Sequence, residues 1–139
     1  MNATAQQALA PSTPAGKLVW TGRVLSGFVV AFMLFDSIIK LMQIQVVSDT
    51  FRQMGIPENL AVEFGVIGLV CTVLYAIPRT AVLGAILLTA MLGGAVASHV
   101  RIGSPLLSHV LFGVYLGLFA WGGLFLREPR LRALLPLRA

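Results

Sequence analysis

Residues 64–126 read FGVIGLVCTVLYAIPRTAVLGAILLTAMLGGAVASHVRIGSPLLSHVLFGVYLGLFAWGGLFL, and only Arg79 and Arg101 in this stretch carry a formal charge. Over all 139 residues, 58% are apolar and 11% are charged, whereas about 25% are charged in an ordinary globular protein. A soluble domain of this length could not bury so much apolar surface. The composition therefore excludes a water-soluble enzyme and predicts an integral membrane protein.

The net charge of +5 does not indicate nucleic-acid binding, because the ten basic residues are scattered over connections and tails. Basic residues that flank apolar segments set membrane topology and contact anionic headgroups. The only cysteine, Cys71, lies inside an apolar segment. An intrachain disulfide and a cysteine zinc site are therefore both excluded.

Helix breakers divide the apolar sequence into four predicted transmembrane helices. Pro57 precedes the second helix, Pro78 separates the second from the third, and the turn RIGSP (101–105) precedes the fourth. We expect an all-α, integral membrane, up-down-up-down four-helix bundle. Its helices are predicted at about 18–39, 60–77, 80–98 and 106–126, between a disordered arm (1–16) and a short interfacial tail (129–139).

The connection between the first two predicted spans contains an amphipathic segment. Ile44, Val47, Phe51 and Met54 recur at helical spacing, and the sequence Gly-Ile-Pro then ends the pattern. One apolar face on a short polar helix is typical of a segment lying at a membrane surface. We expect this helix to cover the outer end of the bundle.

The distribution of basic residues predicts the topology. Six lie on the side of both termini (Lys17, Arg79, Arg127, Arg130, Arg132, Arg138), and three lie on the other (Lys40, Arg52, Arg101). Because cytoplasmic loops carry the excess of Lys and Arg, both termini are expected in the cytoplasm.

Small residues recur at a spacing of four in the last two spans, as in Gly113-x-x-x-Gly117. Such residues let helix backbones approach closely in a bilayer. The pattern leaves two interpretations open, which are packing within one chain and contact between the two copies of a homodimer.

Polar residues from all four predicted spans fall at the outer end of the bundle. Ionisable groups in membrane helices are costly and usually pair or line a cavity. One hypothesis is a ligand-binding pocket under the amphipathic helix. The alternative is that these side chains sit at headgroup depth and only set register, with Asp36 paired to Lys40 and Glu63 to Arg101. The candidate residues are Asp36, Lys40, Glu63, His99, Arg101 and His109.

A quinone is the cofactor that these residue types suit best. A quinone site needs a histidine or tyrosine donor, an acidic partner and an apolar slot. In this hypothesis His99 or His109 donates to a carbonyl, Glu63 or Asp36 is the acid/base partner, and Arg101 holds an anion. Haem ligation by the two histidines lacks an attachment motif, no metal site is expected, and no known catalytic motif is present.

Six blocks of sequence resemble the DoxX-like family of small bacterial four-span membrane proteins. They are GRVLSG (22–27), LFD (34–36), MGIPE (54–58), IPRTAVLGAILLT (77–89), GGAVASHVRIGSPLLSHVLF (93–112) and WGGLFLREPRLRALLP (121–136). The resemblance implies a multi-pass protein of the bacterial inner membrane, associated with other membrane redox proteins, and it carries over no catalytic residue. We expect a quinone-linked or redox-accessory component. The alternatives are a non-enzymatic scaffold for partner proteins and a small-molecule carrier.

Overall fold

The computed structural model describes residues 14–135, which form helices and no strands. The helices are α1 (Pro14–Leu41), α2 (Gln45–Gln53), α3 (Leu60–Ala76), α4 (Ala81–Arg101), a π-helical turn (Leu106–Val110) that leads directly into α5 (Leu111–Arg127), and α6 (Pro129–Leu134). Three segments, Gly16–Leu41, Ala81–Arg101 and Leu106–Arg127, are long and apolar enough to cross a membrane, and α3 is a shorter apolar helix. The prediction of an all-helical membrane bundle is confirmed.

The two ends of the chain show only part of what was predicted for them. Most of the predicted disordered arm, residues 1–13, lies outside the described residues, and α1 already begins at Pro14. The predicted tail contains α6, whose Leu131 is buried against the core, and residues 136–139 lie outside the described residues.

The four long helices pack in a ring. Helix α1 contacts α3 and α5, and α4 contacts the same two helices from the opposite side. Apolar side chains from all four fill the centre, among them Val29, Met33, Leu88 and Leu116. We call the end of this bundle that carries α2 the lid end and the end that carries α6 the tail end.

Glycines allow the helix backbones to touch at the tail end. A Cβ added to Gly123 of α5 would lie 2.9 Å from the carbonyl oxygen of Gly22 in α1. A Cβ added to Gly84 of α4 would overlap backbone atoms of Tyr75 in α3. Because close packing of small residues is what associates helices in a bilayer, these contacts fix the tail end of the bundle.

One buried hydroxyl joins three helices near the tail end. The Tyr75 side chain of α3 is fully buried, and its hydroxyl donates to the Ala120 carbonyl of α5 at 2.7 Å. The Ser26 hydroxyl of α1 lies 2.9 Å from the Tyr75 hydroxyl oxygen. The Arg127 guanidinium stacks 5.4 Å from the centre of the Tyr75 ring and donates to the Tyr75 carbonyl. From the sequence, candidate polar residues were identified only at the lid end, and this group was not predicted.

Candidate functional site

A cavity of about 530 Å³ lies inside the lid end of the bundle. Its walls come from α1, α2, α4, the π-helical turn and α5, with Phe64 as the contribution of α3. Most of the lining is apolar and includes Phe32, Met33, Leu92, Val96, Phe112 and Leu116. A concave, mostly apolar space with a few polar groups is the usual form of a small-molecule site.

Helix α2 forms a lid over the cavity. Its Val47 and Phe51 are buried against Ala61 of α3, and the Phe51 ring meets the Phe64 ring edge to face with centroids 5.7 Å apart. Val46 and Thr50 from the same helix line the cavity. The amphipathic pattern in the sequence therefore corresponds to a helix whose apolar face closes the bundle.

The lid is also attached through its C-terminal end. Arg101, the last residue of α4, donates a hydrogen bond to the carbonyl oxygen of Met54. The next residue, Gly55, has φ +66°, a conformation that glycine adopts without the steric cost of a Cβ. The glycine turns the chain back toward α3 and leaves the Met54 carbonyl facing the arginine.

The exposed face of the lid carries its own ion pairs. Arg52 binds Glu58, which follows the lid, and lies 3.4 Å from Asp49. The hydrogen bond and the negative charge of Glu58 raise the pKa of Arg52 above its ordinary value. Exposed pairs of this kind add little stability, so the apolar face and Arg101 are the main attachments of the lid.

An ion pair lies in the wall that α1 contributes. Asp36 and Lys40 are four residues apart, which places both on one face of the helix, and they form a salt bridge. Both side chains line the cavity, with 26% of the aspartate side chain and 18% of the lysine side chain exposed. The pairing supplies a polar patch without a net charge.

Two histidines meet on the opposite wall. The rings of His99, in the last turn of α4, and His109, in the π-helical turn, touch edge to face with centroids 5.6 Å apart. Each ring engages a neighbouring serine through Nδ1, His99 with Ser104 at 3.0 Å and His109 with Ser108 at 2.7 Å. This leaves the Nε2 atom of each ring outside these hydrogen bonds.

The π-helical turn places His109 at the cavity. After Pro105 the backbone is wider than an α-helix, since the amide of Val110 donates to the Pro105 carbonyl five residues earlier, at 3.3 Å. Single π-helical turns are rare and frequently occur at functional sites. The sequence predicted an ordinary helix from residue 106, because a proline before a helix does not indicate whether the first turn is α-helical or π-helical.

The structure brings together four of the six predicted site residues. Asp36, Lys40, His99 and His109 line the cavity. Glu63 does not line it and is exposed in the first turn of α3. No ion pair within residues 14–135 joins Glu63 to Arg101; Arg101 instead binds the lid.

Sequence reasoning missed the neutral residues that complete the site. Ser104 holds His99, and Ser98 and Thr50 add hydroxyls to the lining. The Phe32 and Phe112 rings contact each other between α1 and α5, with centroids 4.9 Å apart and the ring planes tilted by 59°. Serine and phenylalanine are too common in membrane helices to stand out, and only the short spacing between His99 and Ser104 could have suggested a contact.

Comparisons with known proteins give one assignment. Within residues 14–135, no group of three or more His, Cys, Asp or Glu side chains is arranged to hold a metal ion. No curated protein and no solved structure matches the chain. The model of the DoxX-like family matches residues 24–123, a range that contains the four cavity-lining polar residues predicted above. This chain is a membrane protein that belongs to the DoxX-like family.

Proposed function

We propose that this protein binds a membrane quinone in the cavity under α2 and serves as an accessory component of a membrane redox assembly. The observation that supports this most directly is the division of the cavity into an apolar body and two polar patches, Asp36–Lys40 and His99–His109. A quinone ring has two flat apolar faces and two carbonyl acceptors, so it matches such a lining.

The histidine pair offers the hydrogen bond that a quinone carbonyl requires. A serine hydroxyl that donates to Nδ1 fixes the imidazole proton on Nε2. Ser104 and Ser108 lie at the Nδ1 atoms of His99 and His109. With that tautomer, Nε2–H donates to the carbonyl oxygen of the ligand, and the serine orients the ring.

The Asp36–Lys40 pair favours a neutral ligand over a charged one. The lysine charge is already compensated by the aspartate inside the cavity wall. An anionic ligand would have to compete with Asp36 for Lys40 and would leave a carboxylate without its partner, which is costly in a partly buried site. A carbonyl oxygen can accept a hydrogen bond from Lys40 without breaking the pair.

We also propose in which membrane the protein lies and how it is oriented there. All four long helices cross the bacterial inner membrane, and both termini lie in the cytoplasm. This is supported by the apolar helices, by the family and by the six-to-three distribution of basic residues. The cavity then lies at the outer membrane face, beneath the lid.

Binding of a quinone without a tail tests the site itself. The protein is purified, placed in phosphatidylcholine nanodiscs, and titrated with dimethoxy-methyl-benzoquinone. His99→Phe keeps a flat ring and removes the hydrogen bond, so the dissociation constant should rise about fivefold, equivalent to about 1 kcal/mol for one neutral hydrogen bond. Glu63→Gln is the matched control, because Glu63 is at the same end of the bundle and outside the cavity.

The controls separate the possible outcomes. Unchanged binding by Glu63→Gln together with weakened binding by His99→Phe and His109→Phe supports the site. Equal losses in all three variants would show a general disturbance of the lid end and contradict it. A wild-type protein that binds no quinone would contradict the proposal and favour the scaffold alternative.

A further inference from the structure

The contact between α3 and α4 is tightest at the tail end and looser toward the lid end. At Gly84 the backbones of the two helices touch, and an added Cβ would lie 2.7 Å from the Leu74 carbonyl carbon. Two turns further along α4, the whole Met91 side chain fits between the helices, with its terminal carbon 3.0 Å from a Cβ built on Gly68. One more turn along, a Cβ on Gly94 would meet nothing within 4 Å.

The other three interfaces are closed near the cavity. Between α1 and α3, a Cβ on Gly65 would lie 3.0 Å from the Ser37 carbonyl oxygen. Between α4 and α5, a Cβ on Gly113 would lie 2.8 Å from the Val96 side chain. Between α1 and α5, the Phe32 and Phe112 rings contact each other at an interplanar angle of 59°. Gly94 of α4 has no comparable contact, and we therefore place the lateral gap between the lid-end halves of α3 and α4.

Residues that flank this gap also line the cavity. They are Gly94, Ala95 and Ser98 of α4 and Phe64 of α3, and all of them except Ser98 are exposed. Gly94 and Ala95 lie one turn beyond Met91, which places them on the side of α4 that faces α3. Helix α4 has the length and composition of a membrane span and α3 is a shorter apolar helix, so in the proposed topology the open side of the gap faces the acyl chains rather than water.

We propose that the gap between the lid-end halves of α3 and α4, flanked by Phe64, Gly94 and Ala95, holds the isoprenoid tail of the bound quinone where it leaves the cavity for the bilayer. This inference rests on the proposed function, since the ring occupies the cavity. It assigns the ligand to the tailed quinones dissolved in the membrane. Gly94 is then a determinant of specificity, because the absence of a side chain there keeps the gap open.

Narrowing the gap separates recognition of the tail from recognition of the ring. Gly94→Leu places a branched side chain in the gap without displacing a neighbour, because its surroundings are empty. Gly93→Leu is the matched control, since Gly93 is next along the same helix, is equally free of neighbours and does not line the cavity. Ala95→Phe narrows the same gap from one residue further along and serves as the second variant.

Two probes are titrated into each protein in phosphatidylcholine nanodiscs: dimethoxy-methyl-benzoquinone, and the same ring carrying a decyl tail. We expect Gly94→Leu and Ala95→Phe to weaken binding of the tailed quinone about tenfold more than they weaken binding of the tail-less ring. Gly93→Leu should change neither. Circular dichroism and a single symmetric elution peak confirm that each variant is folded.

Other outcomes would overturn the inference. Equal weakening of both probes by Gly94→Leu would place Gly94 against the ring, and an unchanged affinity for the tailed probe would place the tail elsewhere. An effect of Gly93→Leu as large as that of Gly94→Leu would mean that the outer surface of α4 is being measured. In these cases the tail-less ring still binds the wild type, so the proposed function stands. If the wild type binds neither probe, the proposed function and the position of the tail are both contradicted.

Discussion

Gly84→Ala is expected to destabilise the bundle strongly, whereas Gly93→Ala, in the same helix, is expected to leave its stability almost unchanged. Both substitutions add one methyl group to α4. At Gly84 the added carbon overlaps the backbone of Tyr75, and at Gly93 it meets nothing within 4 Å. The comparison therefore isolates the contact between α3 and α4 from the effect of replacing glycine.

The size of the expected loss in stability depends on whether the atoms next to the added methyl group can move. Overpacking a tight site costs about 1–3 kcal/mol, and the upper part of that range applies because the atoms in the way belong to the Tyr75 and Leu74 backbone. Alanine gains about 1 kcal/mol over glycine in a water-exposed helix. That gain largely cancels in SDS, where helices persist after their mutual contacts are lost. We expect a loss of about 3 kcal/mol for Gly84→Ala and a change within about 0.5 kcal/mol for Gly93→Ala.

Equilibrium unfolding in mixed micelles of increasing SDS content, followed by tryptophan fluorescence, measures both values. A Gly84→Ala protein as stable as the wild type would refute the close approach at the tail end. It would also weaken the inference of a gap between α3 and α4 near the cavity, because that inference compares the gap with the close contact at Gly84. Equal destabilisation by both substitutions would show that glycine itself, rather than the contact, is required in α4.

Three further predictions concern the network, the lid and the topology. Tyr75→Phe removes a buried hydroxyl that joins three helices and should cost about 1 kcal/mol of unfolding free energy, whereas Tyr115→Phe, at an exposed position, should cost nothing measurable in the same assay. Arg101→Gln should loosen the lid and raise the rate of proteolysis between α2 and α3 several-fold, and a rate equal to that of the wild type would show that Arg101 does not hold the lid. Single cysteines introduced at Gly103 and Arg79 in a Cys71→Ser background should react with a membrane-impermeant maleimide on opposite sides of the membrane, with Gly103 outside; the reverse pattern would invert the proposed topology.

Much of the fold could be predicted because its determinants are local. Apolar runs interrupted by Pro57, Pro78 and Pro105 define helices without any knowledge of their neighbours. The lid is encoded in the same way, by the spacing of Val47 and Phe51. The widening between α3 and α4 could not be predicted, because it depends on how two helices pack at Gly84 and Met91.

The candidate site was only partly predictable, because some of its contacts are local in sequence and others depend on how the helices pack. The Asp36–Lys40 pair follows from a spacing of four within one helix, and the proximity of the two histidines follows from the short turn between their helices. Glu63 illustrates the limit: a residue in the first turn of a helix can face the cavity or the surroundings, and the rotation of α3 turns it outward. The Tyr75 network depends on partners more than forty residues away in sequence.

The small-molecule content of the protein purified in mild detergent from bacterial membranes shows whether the cavity holds a quinone. Extraction, mass spectrometry and an ultraviolet–visible spectrum are compared between the wild type and a His99→Ala, His109→Ala double variant. We expect a tailed quinone to accompany the wild type, approaching one per chain, and most of it to be lost from the variant. A colourless wild-type protein that carries only phospholipid, or a quinone content that the double substitution does not change, would contradict the proposed function.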